Sequence, residues 1–148
     1  ISMNTSRRIL AVLFFVALAA PATAAPAPAG ETIRDPKPDS PEAPIATALK
    51  AALAGDFPAY LTAVHPDEKV TDEQRHQRER YEWKRFKVQA KRYLVSEDPV
   101  AFVVVRRDPQ GDARMKVFLK DQMNPDRMPV PVSLRKDGDV WKIETNSL

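Results

Sequence analysis

Two alternating apolar and polar segments near the C-terminus flank the pair Asp137-Gly138. This pattern is typical of a β-hairpin in which Asp137-Gly138 forms a two-residue type I′ turn. The turn predicts three cross-strand pairs on one apolar face: Leu134 with Trp141, Val132 with Ile143, and Val130 with Thr145. The other face is mostly polar, and a one-residue slip would destroy this separation. The hairpin therefore offers one apolar face on which the rest of the chain can pack.

The N-terminal stretch has the pattern of a secretory signal peptide. Arg7 and Arg8 precede an uncharged apolar run at residues 9–20, and small residues lead up to Ala24, after which we expect cleavage. The apolar run is shorter than the roughly 20 residues that a membrane anchor needs. Residues 1–24 therefore predict a soluble bacterial protein of the periplasm or the medium. Both the general and the twin-arginine export routes remain open.

Composition narrows the classes of function. The chain has no cysteine, which excludes disulfides, thiolate metal sites and a cysteine nucleophile. Loss of residues 1–24 would lower the formal net charge from +3 by two, to +1, because this segment contains two arginines and no acid. A chain so close to neutral is a poor candidate for nonspecific binding of nucleic acid. Ile1-Ser2 precede Met3, which we take as the natural start, with the two residues before it a scar.

The next part of the chain predicts a linker and then a helix pair. Residues 25–44 are rich in proline and alanine and predict a disordered linker, which leaves 45–148 as a single folded domain. Apolar residues at four-residue spacing predict a first helix that ends at Gly55, a residue suited to a left-handed cap. Asp56 is placed to cap a second short helix that ends before His65-Pro66.

A third helix should begin at Thr71, which forms a capping box with Gln74. Between Asp72 and Arg92 the chain carries eight basic and four acidic residues, which favours a solvated helix face over a polyanion-binding patch. A narrow apolar seam should face inward and consists of Trp83, Phe86 and Ala90. The pattern leaves open whether residues 88–95 are helix or strand.

Strand patterns follow the helices. An apolar run at 100–107 predicts a central strand, and residues 115–120 alternate as a strand with one inward face. Together with the hairpin they make about four antiparallel strands. Helices first and strands afterwards indicate an α+β fold, with two to three helices packed on one face of the sheet.

Two segments carry a resemblance to a known family. Gly138-Asp139-Val140-Trp141-Lys142-Ile143 in the last strand, and Leu53-Ala54-Gly55-Asp56-Phe57 at the entry to the second helix, resemble the NTF2-like superfamily. The resemblance covers about residues 44–148 and is nearest to small exported bacterial members of uncharacterised function. It implies a cone-shaped α+β fold with a curved sheet, and a homodimer as in many NTF2-like domains.

The resemblance also implies where chemistry would lie. Enzymes of this superfamily, isomerases and dehydratases, place a tyrosine with acids or a histidine with an aspartate in the cone, which makes Tyr60, His65 and His76 the acid–base candidates. The strands offer no inward acid, however, and the histidines are more simply a helix C-terminal residue and a solvated one. Metal-ligand spacing, a phosphate loop and a dinucleotide fingerprint are all missing from the sequence, so we expect neither a metal nor a cofactor.

Five aromatic residues are candidates for a ligand pocket between the helices and the sheet: Tyr60, Trp83, Phe86, Phe102 and Trp141. The alternative is that they fill the core. Three functions remain open. The first is a noncatalytic exported domain that binds a small apolar ligand or an envelope protein. The second is an acid–base enzyme. The third is a structural or inhibitory interaction protein that uses the basic third helix or the exposed sheet face.

Overall fold

The computed structural model describes residues 30–148, so the predicted signal peptide and residues 25–29 lie outside the described part. The α+β class is confirmed, with three helices packed on a curved, open, antiparallel sheet of six strands. The strands are β1 Glu31–Arg34, β2 Leu94–Glu97, β3 Val100–Pro109, β4 Arg114–Leu119, β5 Val130–Asp137 and β6 Val140–Asn146. Within the described residues, no helix is both long and apolar enough to cross a membrane.

β3 organises the sheet, whose main strand order is β1-β3-β4-β5-β6. The first half of β3 lies between β1 and β2, since Phe102 pairs with both Ile33 and Leu94. Its second half pairs with β4, so β2 and β4 follow each other along one side of β3. At the far edge, β6 makes a parallel bridge with the chain after the second helix, where Val64 lies opposite Ile143.

The end of the first helix and the start of the second lie where local signals predict. α1, Glu42–Ala54, ends at Gly55, which adopts the left-handed conformation with φ 66°. α2, Phe57–Thr62, begins after Asp56, whose carboxylate accepts a hydrogen bond from the amide of Ala59 at 3.1 Å. These two caps bend the chain sharply and place α1 and α2 side by side.

A single long helix, residues 72–93, follows, and we refer to it as the long helix. It consists of α3 Asp72–Gln77, a π-helical segment Arg78–Trp83, α4 Lys84–Gln89 and a final 3₁₀ turn Ala90–Tyr93. The predicted capping box is confirmed at its start, where Thr71 and Gln74 bond each other's backbone amides. The open question about residues 88–95 is resolved as helix through Tyr93 and strand from Leu94.

The core lies between the helices and one face of the sheet. The predicted seam of Trp83, Phe86 and Ala90 is buried there, together with the apolar residues of α1. The sheet contributes its inward residues, which include Val117, Leu119, Val130, Val132, Leu134 and Ile143. The helices thus cover one face of the sheet, as predicted.

The predicted linker and strand count differ from the structure. Residues 31–34 form β1 on the edge of β3, and α1 already begins at Glu42, although both lie in the segment 25–44 that we predicted to be disordered. The composition hides β1 because Ile33 is the only large apolar residue in that segment. It is also the one buried residue of the strand. β1 and β2 raise the number of strands from the predicted four to six.

The hairpin forms, but in a different register. Asp137 pairs with Val140 and Leu134 with Ile143, so the turn residues are Gly138 and Asp139. The turn has positive φ at its first central residue, Gly138 (φ 62°), and glycine is the residue that adopts this conformation without strain. The partner of Leu134 thus lies two residues further along β6 than predicted. A shift of two residues preserves the faces of a strand, so the predicted residues stay on the apolar face up to Ile143.

A bulge between Ser133 and Leu134 then changes the end of the hairpin. Val132 pairs with Asn146 instead of the predicted Ile143, and Thr145 points outward. A bulge inserts one residue, which reverses the two faces of the strand beyond it. The last residues of β6 therefore turn Asn146, a polar residue, into the interior.

Candidate functional site

Three of the five predicted pocket aromatics come together at the crossing of α2 and the long helix. The ring centroids of Tyr60 and Trp83 are 5.0 Å apart, and those of Tyr60 and Phe86 are 5.3 Å apart. Phe57 joins them at 5.6 Å from Trp83. These are ordinary packing distances for aromatic pairs. The rings pack against one another as part of the hydrophobic core.

The other two predicted pocket aromatics lie elsewhere. Phe102 is fully buried in β3, between Ile33 and Leu94 of the flanking strands. Trp141 is buried in β6, with the Lys136 ammonium nitrogen 5.3 Å from its ring centroid. In the part of the chain that the structure describes, neither ring forms an aromatic pair with the cluster. All five residues belong to the hydrophobic core, and three of them form the aromatic cluster.

A buried polar network adjoins the aromatic cluster. The Tyr60 hydroxyl donates a hydrogen bond to Oε1 of Glu82 and accepts one from Nδ2 of Asn146 at 2.7 Å. The same Glu82 oxygen accepts a hydrogen bond from the Arg78 guanidinium at 2.5 Å. We call Tyr60, Arg78, Glu82 and Asn146 the Tyr60 network. It connects α2, the long helix and β6.

Arg78 and Glu82 form a largely buried ion pair, with side-chain exposures of 8% and 15%. Arg78 also donates to the carbonyl of Glu144 at 3.0 Å and lies 3.4 Å from the carboxylate of Glu68. Arg78 and Glu82 belong to the charged stretch that the sequence predicted to be a solvated helix face, and their four-residue spacing is visible there. The pair lies inside because the π-helical segment and β6 meet there; π-helical turns are frequent at functional sites.

The Tyr60 network keeps the Tyr60 phenol protonated as a hydrogen-bond donor to Glu82. Burial, reinforced by the charge and hydrogen bond of Glu82, raises the pKa of the Tyr60 phenol far above its ordinary value. Arg78 opposes this shift only in part. Tyr60 therefore keeps its proton at physiological pH, and Glu82 is balanced by a guanidinium. A general base works best with a pKa near the operating pH, which this tyrosine lacks.

The two histidines have different environments. His65 is buried and its Nδ1 accepts a hydrogen bond from the amide of Asp67 at 3.1 Å. Its Nε2 lies 3.2 Å from the carbonyl oxygen of Lys136, which can only accept, so Nε2 is the donor in this contact. Both ring nitrogens are thus engaged in holding the chain between α2 and the hairpin. His76 is exposed on α3 and meets no partner from the Tyr60 network.

A second buried carboxylate fixes the other end of the long helix. Asp121 is fully buried, and its Oδ2 accepts hydrogen bonds from the Arg92 guanidinium at 2.8 and 3.1 Å. Its Oδ1 accepts the amides of Met123 and Asn124. Burial alone would raise the pKa of Asp121, but the hydrogen bonds from Arg92 and the two amides hold it below its ordinary value. This arrangement anchors the loop between β4 and β5.

Metal ligands are not clustered within residues 30–148, where no group of three histidine or acidic side chains is placed to hold an ion. The buried carboxylates of Glu82 and Asp121 each face an arginine instead. Their negative charge is already balanced by the fold.

The outer side of the long helix differs from its inner side. Tyr81 and Val88 are 65% and 69% exposed although both are large apolar residues. An open depression of about 580 Å³ lies between them, lined by Arg80, Tyr81, Lys84, Arg85, Val88 and Gln89. Sequence reasoning gave the excess of basic residues on this helix, but it did not single out Tyr81 or Val88.

Comparison with protein-family models, with curated proteins and with solved structures finds no match for this chain. The fold and the arrangement of side chains are therefore the basis for any assignment of function.

Proposed function

We propose that the chain is an exported, noncatalytic binding domain of the NTF2-like type, and that it binds a protein of the bacterial envelope. Three helices on a curved, open, antiparallel sheet are compatible with that superfamily. The signal-peptide pattern at residues 1–24 supports export.

The observation that carries this proposal is the contrast between a filled interior and an unpartnered surface. The aromatic cluster packs on itself, with Tyr60 fully buried and Trp83 and Phe86 nearly so, which favours a core over an apolar pocket. On the surface, by contrast, Tyr81 and Val88 expose apolar area beside basic side chains. A protein partner could cover that area, whereas a small apolar ligand would find little enclosure there.

An acid–base enzyme is the second candidate, and the Tyr60 network is the observation that favours it. Tyr60 and His65 both reach the interior, as such an enzyme would require. The pKa of the Tyr60 phenol is raised far above its ordinary value, however, so Tyr60 is not poised to exchange a proton near neutral pH. Both ring nitrogens of His65 have backbone partners.

Site-specific photo-crosslinking in the cells that produce the protein tests for a partner. A benzoylphenylalanine is placed at each of three exposed valines: Val88 on the long helix, Val105 on β3, and Val140 beside the hairpin turn. We expect an envelope-protein adduct of one defined mass from at least one position. Absence of an adduct from all three would contradict partner binding.

A ligand titration completes the test. The exported form is titrated with the neutral apolar probe N-phenyl-1-naphthylamine, and tryptophan emission is followed because Trp83 lies in the aromatic cluster. We expect no saturable change, because the rings leave no room among them. Saturable quenching of Trp83, abolished in Trp83→Phe, together with the absence of any adduct would replace partner binding with ligand binding.

A further inference from the structure

We infer, on the basis of the proposed function, that the partner docks on the outer side of the long helix and presents an acidic amphipathic helix there. The surface is formed by Arg80, Tyr81, Lys84, Lys87 and Val88, and we call it the basic helix face. Residues three, four and seven apart in a helix share one side, and these five positions follow that spacing.

Two exposed apolar residues lie near the two ends of this face. Tyr81 and Val88 lie seven residues apart, two helical turns, and both are about two-thirds exposed. The open depression of about 580 Å³ runs between them, with Lys84 at its centre along the chain. A row of apolar side chains from a helix is the kind of ligand that fits a groove of this length, and tyrosine is frequent among residues that dominate binding energy.

The charge of the face is unbalanced within the protein. Among the described residues, no carboxylate forms an ion pair with Arg80, Lys84 or Lys87. The sequence has no acidic residue between 83 and 96, so Lys84 and Lys87 have no acidic neighbour on their C-terminal side. The positive potential of this face would attract an acidic partner. Such complementarity raises the association rate and fixes the orientation of the partner.

Neighbouring cations on the long helix are engaged by the fold instead. Arg85 donates to the carbonyls of Asn146 and Leu148, both at 2.8 Å. Arg92 is bound to Asp121, and Lys91 lies 3.7 Å from the carboxylate of Glu97. The free cations are therefore confined to the basic helix face rather than spread over the helix, which gives a partner a defined footprint.

A second copy of the chain fits this face poorly. A two-fold dimer applies the same patch to itself, so Arg80 and Lys84 of one copy would lie against those of the other. Their charges would repel, and no acid lies within the patch to separate them. A membrane surface is also a poor fit, since interfacial helices bury a broad apolar face and this one offers only Tyr81 and Val88.

The test uses a designed helical peptide with glutamates on one flank and a leucine stripe at three- and four-residue spacing. Its binding to the exported protein is measured by titration calorimetry at low and at physiological salt. A peptide of the same composition, scrambled to break the apolar stripe, is the matched ligand control. We expect the helical peptide to bind at least tenfold more tightly than the scrambled one, and more weakly as salt rises.

Two charge-reversal pairs separate this face from general electrostatics. Arg80→Glu with Lys84→Glu should weaken peptide binding at least tenfold, while Lys37→Glu with Lys50→Glu, which reverses two exposed lysines elsewhere, should change it less than twofold. Tyr81→Ala should weaken it about fivefold without altering the salt dependence. Circular dichroism confirms that every variant is folded.

Several outcomes would overturn the inference. These are equal losses from the two charge-reversal pairs, equal binding of the scrambled peptide, or no binding of the helical peptide. Tighter binding to phosphatidylglycerol vesicles, abolished by Arg80→Glu with Lys84→Glu, would assign the face to a membrane instead. If the peptide does not bind but Val105 or Val140 yields an adduct, this inference fails and the proposed function stands. If none of the three valines yields an adduct, the proposed function fails as well.

Discussion

The two sides of the long helix carry similar residues in different surroundings. On the inner side, Arg78 and Glu82 pair with each other and contact α2 and β6, and Trp83 packs in the aromatic cluster. On the outer side, Arg80 and Tyr81 contact solvent. The difference shows that tertiary contacts, and not residue type, decide which side chains stabilise the fold. The inner side should therefore control stability, and the outer side should control binding.

The largest effect should come from the aromatic residue on the inner side. Trp83→Ala should lower the free energy of unfolding by about 3–5 kcal/mol, because it leaves a cavity among Phe57, Tyr60 and Phe86. Urea denaturation followed by circular dichroism measures this loss. The matched variant on the outer side, Tyr81→Ala, should change stability by less than about 0.5 kcal/mol. Similar losses from the two variants would remove the distinction between the sides.

A smaller effect should come from the buried ion pair. Glu82→Leu should cost about 2–3 kcal/mol because it leaves the Arg78 guanidinium and the Tyr60 hydroxyl without their main acceptor. Glu79→Leu, one turn away on an exposed position, should cost less than about 0.5 kcal/mol. The same urea titration measures both variants.

A double variant shows whether the cost belongs to the pair. Arg78→Met combined with Glu82→Leu should recover part of the loss, because it removes the unpaired buried charge along with its partner. Additive losses from Arg78→Met and Glu82→Leu would mean that the two residues act independently, against the short contact between them.

Structural features that depend on neighbouring residues were predicted better from the sequence than features that depend on residues far apart in the chain. The caps at Gly55, Asp56 and Thr71 were predicted correctly because each depends on residues within four positions along the chain. The strand β1 was missed because its pairing with β3 joins residues about 70 positions apart. A four-residue edge strand with one apolar side chain has no periodicity that could reveal it.

The candidate site likewise depends on contacts between residues that are far apart in the chain. Tyr60 was selected from the sequence as an inward aromatic residue, but nothing near it indicated its partners, which lie 22 and 86 positions away at Glu82 and Asn146. Asn146 reaches the interior only because a bulge at Ser133 shifts the faces of the hairpin. No local pattern marks that bulge, so the Tyr60 network required the structure.

The smallest effect on the inner side should come from the Tyr60 hydroxyl. Tyr60→Phe removes the donor to Glu82 and the acceptor for Asn146 while keeping the ring in the cluster. We expect a loss of about 1–2 kcal/mol at neutral pH, because two polar groups lose a partner in a buried site. Urea titration measures this loss, and Phe57→Leu serves as a control in the same cluster without a titratable group.

The effect of Tyr60→Phe should also depend on pH in a defined direction. The pKa of the phenol is raised in the folded chain, so this state keeps its proton above about pH 10, where an unfolded tyrosine has lost it. The stability due to Tyr60 is therefore complete below about pH 10 and decreases as pH rises toward the folded pKa, by up to about 1.4 kcal/mol per pH unit. The deficit of Tyr60→Phe relative to the wild type should shrink from about pH 9 to about pH 11, whereas that of Phe57→Leu should stay constant. A deficit of Tyr60→Phe that stays constant over this range would show that the phenol is not shielded, and that the inner side of the helix is less closed than its contacts indicate.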